Sequence, residues 1–328
     1  MSTSHWKGRN VLVTGANGFL GSWVSKRLAE EGANVICFIR DALPRSFFNS
    51  SGTVDRVVVA HGCLEDYLSM ERVFNEFEVD FCFHLGAQAI VGTAERFPLS
   101  TYESNIRGTW NVLEAVRRDN RVKGLVIASS DKVYGTKEVL PYTEKDNLSG
   151  VSPYDVSKVC VDLLAQSYFH TYGIPLGIAR SGNFYGPGDL NFSRIVPGTI
   201  RSLVSDQDPV IRSDGTYLRD YFYVEDAAQA FLALGEKLAN DSIKGQAFNF
   251  GTETPTPVLD IVNQLIELSG KKHLKPVVLN QAAHEIKEQY LSCRKARELL
   301  GWRHTTDLKS GLAKSYSWYE EFFSLESG

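Results

Sequence analysis

No apolar run in this sequence approaches the roughly 20 residues that span a bilayer, and no segment reads as a membrane anchor. An excess of positive charge is also missing. Lysine and arginine total 35 against 39 aspartate and glutamate, a formal net charge of −4. That balance gives no electrostatic footprint for nucleic acid or an anionic membrane. The five cysteines (Cys37, Cys63, Cys82, Cys160 and Cys293) are scattered, odd in number and without metal-ligand spacing. They argue against a disulfide framework and leave no metal site to expect. Cys37 and Cys82 sit in apolar runs, as small core residues do. The opening Met1–Lys7 lacks the apolar region of a secretory signal. A reduced, cytoplasmic protein is therefore expected. Internal repeats and low-complexity segments are absent as well.

What is present is a globular composition. The 328 residues are 43% apolar and 23% charged, enough for one large or two modest domains. Short apolar runs predict buried strands at 9–14 (RNVLVT), 33–39 (ANVICFI), 56–60 (RVVVA), 81–85 (FCFHL), 124–129 and 175–180. Helical periodicity predicts helices at 18–31, 64–77, 101–118 and 153–172. This alternation implies a parallel sheet covered on both faces, the doubly wound α/β class of Rossmann type. After Asn183 the pattern breaks at a Gly/Pro-rich stretch, 184–191. Beyond it, helices are predicted at 195–204, 224–238, 258–269 and 293–300, and a strand at 209–212. We read a first domain over 1–183 and a smaller C-terminal lobe over 184–328, partly interleaved with the first.

The turn after the first strand is Thr14-Gly15-Ala16-Asn17-Gly18-Phe19-Leu20-Gly21. Gly15 permits the tight turn, Gly18 lets backbone N–H groups approach a pyrophosphate, and Gly21 lets the helix pack close to the sheet. A glycine triplet alone is a weak signal; its place between strand and helix near the start of a βαβ pattern makes it strong. Residues 1–183 thus read as a dinucleotide-binding domain, with NAD or NADP as cofactor. The second strand ends at Arg40-Asp41. Asp41 suits the ribose 2′-hydroxyl of NAD, whereas Arg40 suits the 2′-phosphate of NADP. Both readings stay open.

Ser129-Ser130-Asp131-Lys132 follows an apolar strand, and Tyr154 and Lys158 lie four apart near a helix start, hence on one face. A phenol with a pKa near ~10 is a poor base at neutral pH. A nearby ammonium and a nicotinamide cation would favour its phenolate. Tyr154 would then take the proton of a substrate hydroxyl, with Ser130 bonded to the same oxygen and Lys158 on the cofactor ribose. An i,i+4 Tyr/Lys pair is ordinary by itself; the glycine loop and Ser130 at a strand end tip the reading towards function. Asp131 and Lys132 are an acid–base pair beside that centre, or else a solvated strand cap.

Together, T-G-x-x-G-x-x-G, Phe83-His84-Leu85-Gly86-Ala87-Gln88, S-S-D-K and Y-x-x-x-K resemble the extended short-chain dehydrogenase/reductases of the NAD-dependent epimerase/dehydratase family, which act on nucleotide sugars. The resemblance runs from Trp6 to about Trp318. Within the family the chain is most similar to the CDP-glucose 4,6-dehydratases. The features are Trp6-Lys7-Gly8-Arg9, the Ser-Asp-Lys triplet, and the tail from His284-Glu285 through Cys293-Arg294-Lys295-Ala296 to Leu300-Gly301-Trp302.

The resemblance implies a tightly bound, recycled NAD or NADP held by Gly15, Asn17, Gly18, Phe19, Leu20, Gly21, Arg40, Leu64, Tyr154 and Lys158. It implies catalysis by Ser130, Asp131, Lys132, Tyr154 and Lys158. C4 of a nucleotide-linked hexose is oxidised, the C5 proton and C6 hydroxyl leave as water, and hydride returns to C6. Asp131 would be the acid, and Lys132 would abstract the proton or position the group that does. Asn183, Arg194 and Arg219 are substrate candidates, the arginines for the diphosphate. His84 reads as structural; His284 and Glu285 touch the nucleotide or simply sit in the lobe. A 4-epimerase or 4-ketoreductase on the same scaffold needs only Ser130, Tyr154 and Lys158 and is the alternative. A non-enzymatic NAD(P) sensor would need none of these three. The helices near 101–118 and 153–172 carry apolar residues on more than one face, among them Val156, Val161, Leu163 and Leu164. Such helices pair across a two-fold axis in this family, so a homodimer is expected.

Overall fold

The computed structural model describes residues 4–281 and 285–325, so His284 lies outside the described residues. The strands are β1 (Asn10–Thr14), β2 (Asn34–Ile39), β3 (Val58–His61), β4 (Phe81–His84), β5 (Gly124–Ala128), β6 (Leu176–Ser181), β7 (Asn183–Tyr185), β8 (Val210–Ile211), β9 (Leu218–Tyr223), β10 (Ala247–Phe250), β11 (Pro255–Pro257), β12 (Val277–Val278) and β13 (Glu288–Gln289). The helices are α1 (Phe19–Glu30), α2 (Phe47–Ser50), α3 (Tyr67–Glu76), α4 (Val91–Arg96), α5 (Pro98–Tyr102), α6 (Gly108–Arg118), α7 (Pro153–Tyr172), α8 (Ile195–Val204), α9 (Val224–Lys237), α10 (Val258–Ser269), α11 (Arg294–Leu300) and α12 (Leu308–Ser324). No helix among the described residues is long and apolar enough to cross a membrane.

Seven parallel strands form one sheet in the order β10-β6-β5-β4-β1-β2-β3. Both faces are covered, which is why the strands are apolar throughout rather than alternating. Val11 and Val13 of β1 pack in one core with Val24 of α1 and Phe231 of α9. Leu12, between them, joins the opposite core with Met70 of α3, Val112 of α6 and Val161 of α7. Each such buried side chain contributes roughly 1.5–3 kcal/mol. Strand order reverses between β1 and β4, and the crevice beyond their C-terminal ends is where such sheets bind ligands.

The chain interleaves after Asn183. Helix α9 packs on α1, and β10 becomes the sheet's edge strand beside β6. The remaining segments form a lobe in which β9 pairs with β7, β11 and β13. Its core includes Val196, Ile200, Leu265, Leu312 and Tyr319.

Two local differences from the periodicity have physical causes. Helix α3 starts at Tyr67 rather than Leu64, because Asp66 caps it by accepting from the Leu68 N–H at 3.1 Å. The helix expected over 101–118 instead passes through a π turn at Glu103–Arg107. Buried Asn105 in that turn binds the Gln88 carbonyl at 3.0 Å and the Ser157 hydroxyl at 2.9 Å. Asn183 follows the end of β6 by one residue, Gly182, and begins β7 opposite Tyr221 of β9.

Candidate active site

The end of β1 runs directly into the glycine loop. Gly15 has φ +66°, and a Cβ there would stand 2.6 Å from the Gly86 Cα, so only glycine fits. A Cβ at Gly21 would overlap the Gly15 carbonyl. No side chain caps α1 at Gly18. The first-turn N–H groups of Phe19, Leu20 and Gly21 are therefore left for an anion at the positive end of the helix. Leu64 lies against Gly86 and Gly108, where a Cβ would meet its side chain at 2.8 Å in both cases. Asn17 Nδ2 donates to the Asp41 carbonyl at 2.7 Å and ties the loop to the end of β2. There Arg40 Nε pairs with Asp41 at 2.7 Å in an exposed contact that raises the Arg40 pKa. A cradle of close-packed glycines with an uncapped helix end fits a dinucleotide pyrophosphate.

One residue of this region has a structural role. Thr14 Oγ1 accepts from the Leu85 and Gly86 N–H groups at 3.1 Å each and meets His84 Nδ1 at 2.9 Å. His84 Nε2 meets Thr109 Oγ1 at 3.0 Å, and that hydroxyl already donates to the Asn105 carbonyl. The ring therefore carries its proton on Nε2 and accepts at Nδ1. Burial, then the Lys158 charge, lowers the His84 pKa to about 3. It is a neutral spacer between β1, β4 and α6.

Helix α7 begins with Ser152 accepting from the Asp155 N–H and Pro153 at the first position. This puts Tyr154 in the first turn and Lys158 one turn later, both buried. Lys158 Nζ donates to the Ala128 carbonyl at the end of β5, 2.8 Å away. Burial lowers the Lys158 pKa to about 8, while Asp162 pulls it up. Burial and the Asp131 charge push the Tyr154 phenol up to about 12; Arg194 and a hydrogen bond with Ser130 act the other way. In the free protein, burial outweighs the charges that favour the phenolate. The Lys158 ammonium is held by a strand-end carbonyl, and desolvation dominates at the phenol.

Ser130 Oγ accepts from the Lys132 N–H at 3.2 Å and donates to Asp131 Oδ1 at 3.0 Å. Asp131 is only 2% exposed, and its Oδ2 has no partner. It is not a solvated strand cap. Lys132 Nζ stands 3.9 Å from Asp131 Oδ1 and donates to Gln289 Oε1 at 3.0 Å. Behind this turn, Arg180 binds Asp162 through two hydrogen bonds of 2.7 and 2.9 Å, and Ser129 Oγ donates to the same carboxylate at 3.0 Å. This pair pins the end of β5 to α7 and β6. Removing one buried partner of such a pair costs about 3–5 kcal/mol.

Ser130, Asp131, Lys132, Tyr154 and Lys158 therefore converge where β5 ends against α7. The outer candidates are engaged within the protein. Arg194 pairs with Asp189 at 3.0 Å. Arg219 donates to the Leu218 and Lys287 carbonyls at 2.9 and 3.1 Å and meets Glu285 at 3.4 Å. Sequence reasoning missed three residues. Gln289 Nε2, Ser181 Oγ and the Tyr221 hydroxyl are all buried without partners. Ser181 ends β6 beside β5, and Gln289 faces Arg219 across β13 and β9. Buried polar atoms without partners are rare, so several at one crevice mark a polar ligand site. Tyr221 lies in a visible Arg-Asp-Tyr motif, but Gln289 sits on a two-residue strand too short to show any period. No group of three or more His, Cys, Asp or Glu suited to a metal occurs among the described residues.

The family model described as the NAD dependent epimerase/dehydratase family matches residues 11–251. The CDP-glucose 4,6-dehydratase of Salmonella typhimurium is 30% identical over 98% of this chain and 93% of that protein. The UDP-glucose 4-epimerase of Thermotoga maritima, solved with UDP-glucose, has a TM-score of 0.87 at 28% identity, covering 96% and 99% of the two chains. The dTDP-glucose 4,6-dehydratase of Bacillus anthracis, solved with NAD, has a TM-score of 0.84 at 25% identity, covering 96% and 97%.

Proposed function

The chain belongs to the NAD-dependent epimerase/dehydratase family, and we propose that it is a nucleotide-sugar 4,6-dehydratase with CDP-glucose as favoured substrate. The observation that carries this reading is the buried Asp131 carboxylate, one oxygen unpartnered, beside Lys132 and directly after Ser130. C4 chemistry alone uses neither side chain; removal of water at C5 and C6 needs an acid and a base.

Gly15, Asn17, Gly18, Phe19, Leu20, Gly21, Arg40, Leu64, Tyr154 and Lys158 would hold the dinucleotide. NAD, when bound, accepts the C4 hydride and later returns it to C6, so it is recycled without leaving. Tyr154 takes the C4 hydroxyl proton while Ser130 bonds the same oxygen. Lys158, turning from the Ala128 carbonyl, supplies the positive charge that brings the phenol down from about 12. An Asp131 that carries a proton helps too, because its negative charge is the second cause of that elevation. The new ketone acidifies C5. Lys132 takes the C5 proton and Asp131 gives its own to the C6 oxygen, which leaves as water. Lys132 then returns a proton to C5. The proton on Tyr154 passes to Asp131 across Ser130, which bonds to both, and the site is reset. Arg194 and Arg219 would meet the diphosphate by exchanging Asp189 and Glu285 for phosphate oxygens, and Asn183 a sugar hydroxyl.

A 4-epimerase is the second reading, because Ser130, Tyr154 and Lys158 form a complete C4 centre without Asp131 and Lys132. The protein is further proposed to be a cytoplasmic homodimer. Phe97, Leu99, Trp110 and Leu163 expose apolar surface on and beside α5, α6 and α7, a patch suited to a second copy. The deciding experiment is mass spectrometry of CDP-, UDP-, dTDP- and GDP-linked hexoses after incubation with the protein. Loss of one water from one of them supports the dehydratase. Unchanged mass with a new C4 epimer resolved by chromatography replaces it with the epimerase.

A further inference from the structure

Gln289 lies 157 residues beyond Lys132 in the chain, yet its side-chain oxygen is the hydrogen-bond acceptor for the Lys132 ammonium at 3.0 Å. We infer that Gln289 is a positioning residue whose amide holds Lys132 at the long end of its ion pair with Asp131, so that the acid and the base of the elimination do not close into a direct hydrogen bond. The inference rests on the dehydratase reading for its chemical meaning, and on geometry for the contact itself.

A buried aspartate and a partly exposed lysine beside it attract each other. Contact is the expected outcome. Here the Lys132–Asp131 distance is 3.9 Å, outside hydrogen-bond range. Lys132 turns instead to β13, which the lobe delivers by pairing Gln289 with Arg219 of β9. An ammonium only donates, so the amide must offer its oxygen and turn its nitrogen away. That nitrogen is buried without a partner, and the side chain is 1% exposed. A buried unpaired N–H is a standing cost that a leucine of similar size would avoid. Packing therefore does not account for an amide at this position, whereas its grip on Lys132 does.

The remaining partnerless oxygen of Asp131 fits the same account. With Lys132 withdrawn, Oδ2 is free to carry the proton that the C6 oxygen needs. The charged groups facing Lys132 are Asp131 on its own turn and Asp155 from α7, whose carboxyl responds to the Lys132 charge. Arg219 stands across the β9–β13 register. From β13 itself comes an uncharged acceptor. A glutamate there would orient the amine equally well but bind its proton, and so remove it as a base.

The test compares Gln289→Glu and Gln289→Leu with the wild-type protein in two measurements. The first is the pH dependence of reductive methylation at Lys132, followed by peptide mass spectrometry without substrate. The second follows C4 oxidation, by absorbance of the reduced cofactor, separately from water loss, by mass. In Gln289→Glu the Lys132 labelling midpoint should rise by about one pH unit or more. Water loss near neutral pH should fall about tenfold or more and recover partly at higher pH, with C4 oxidation altered less than about twofold. In Gln289→Leu, Lys132 should close onto Asp131, which again raises the labelling midpoint and slows water loss selectively. Labelling profiles that superpose on the wild type in both variants overturn the proposal, as does an equal fall in both chemical steps, the mark of a merely structural role. A wild-type protein that loses no water from any sugar nucleotide, with the labelling shifts intact, overturns the dehydratase reading and leaves the hold of Gln289 on Lys132 standing.

Discussion

Lys158→Met should abolish a gain in stability that the wild-type protein shows at alkaline pH. Burial lowers the Lys158 pKa from 10.5 to about 8, whereas the unfolded chain keeps the ordinary value. Below about 8 both states hold the proton, and the folded state bears the full cost of burying an ammonium. A gap of roughly 2.5 pKa units at about 1.36 kcal/mol each makes that cost about 3 kcal/mol. Between the two values the unfolded chain binds a proton that the native state does not, so stability rises with pH. Above 10.5 neither state is charged there and the cost is gone. From pH 7 to about 10.5 the wild type should therefore gain about 2–3 kcal/mol over the variant. Urea unfolding of both proteins at several pH values reads this directly. All other titrating groups are shared, so the difference isolates Lys158. The Ala128 carbonyl loses its donor in the variant, a pH-independent offset that cancels. The variant should also lose turnover. A stability difference that stays flat across this range would show that the ammonium is solvated in the native state, and the argument for its role at the phenol would fall with it.

Asp131→Asn should lower water loss about 100-fold or more, the usual contribution of a placed general acid, while reduced cofactor still accumulates on mixing with substrate; unchanged dehydration would remove Asp131 from the acid's role. Gly15→Ala forces a side chain into a +66° turn and against Gly86, and NAD titration by calorimetry should show affinity lower by about tenfold or more. Equal affinity would mean that the loop does not carry the pyrophosphate. Leu99→Glu, at an apolar side chain 72% exposed, should convert a dimer to monomers in light scattering. A wild-type protein that is already monomeric refutes the two-fold pairing.

The βαβ alternation was legible because parallel strands buried on both faces must be apolar throughout. The glycine loop was legible because the positions at 15 and 21 have no room for a Cβ. Local signals of this kind survive in one dimension. Tyr154 and Lys158 were readable for a similar reason, since one helical turn dictates that they share a face. Their protonation was not. That depends on how completely α7 is buried and on which carbonyl meets the amine, and both are set by β5, an element distant in sequence. The Arg180–Asp162–Ser129 network was equally hidden, because its members come from β6, α7 and the end of β5.

The sequence by itself determined the individual strands and helices, the cradle and the order in which the reacting side chains follow one another, because each is enforced by contacts within a few residues. Only the tertiary structure decided that β10 and α9 return to complete the seven-stranded sheet and its cover. It alone brought Gln289, a residue on a two-residue strand, to accept a hydrogen bond from Lys132. The reason is that register in so short a strand is set by the neighbour it pairs with and by the core behind it, and neither is written in the residues of the strand itself.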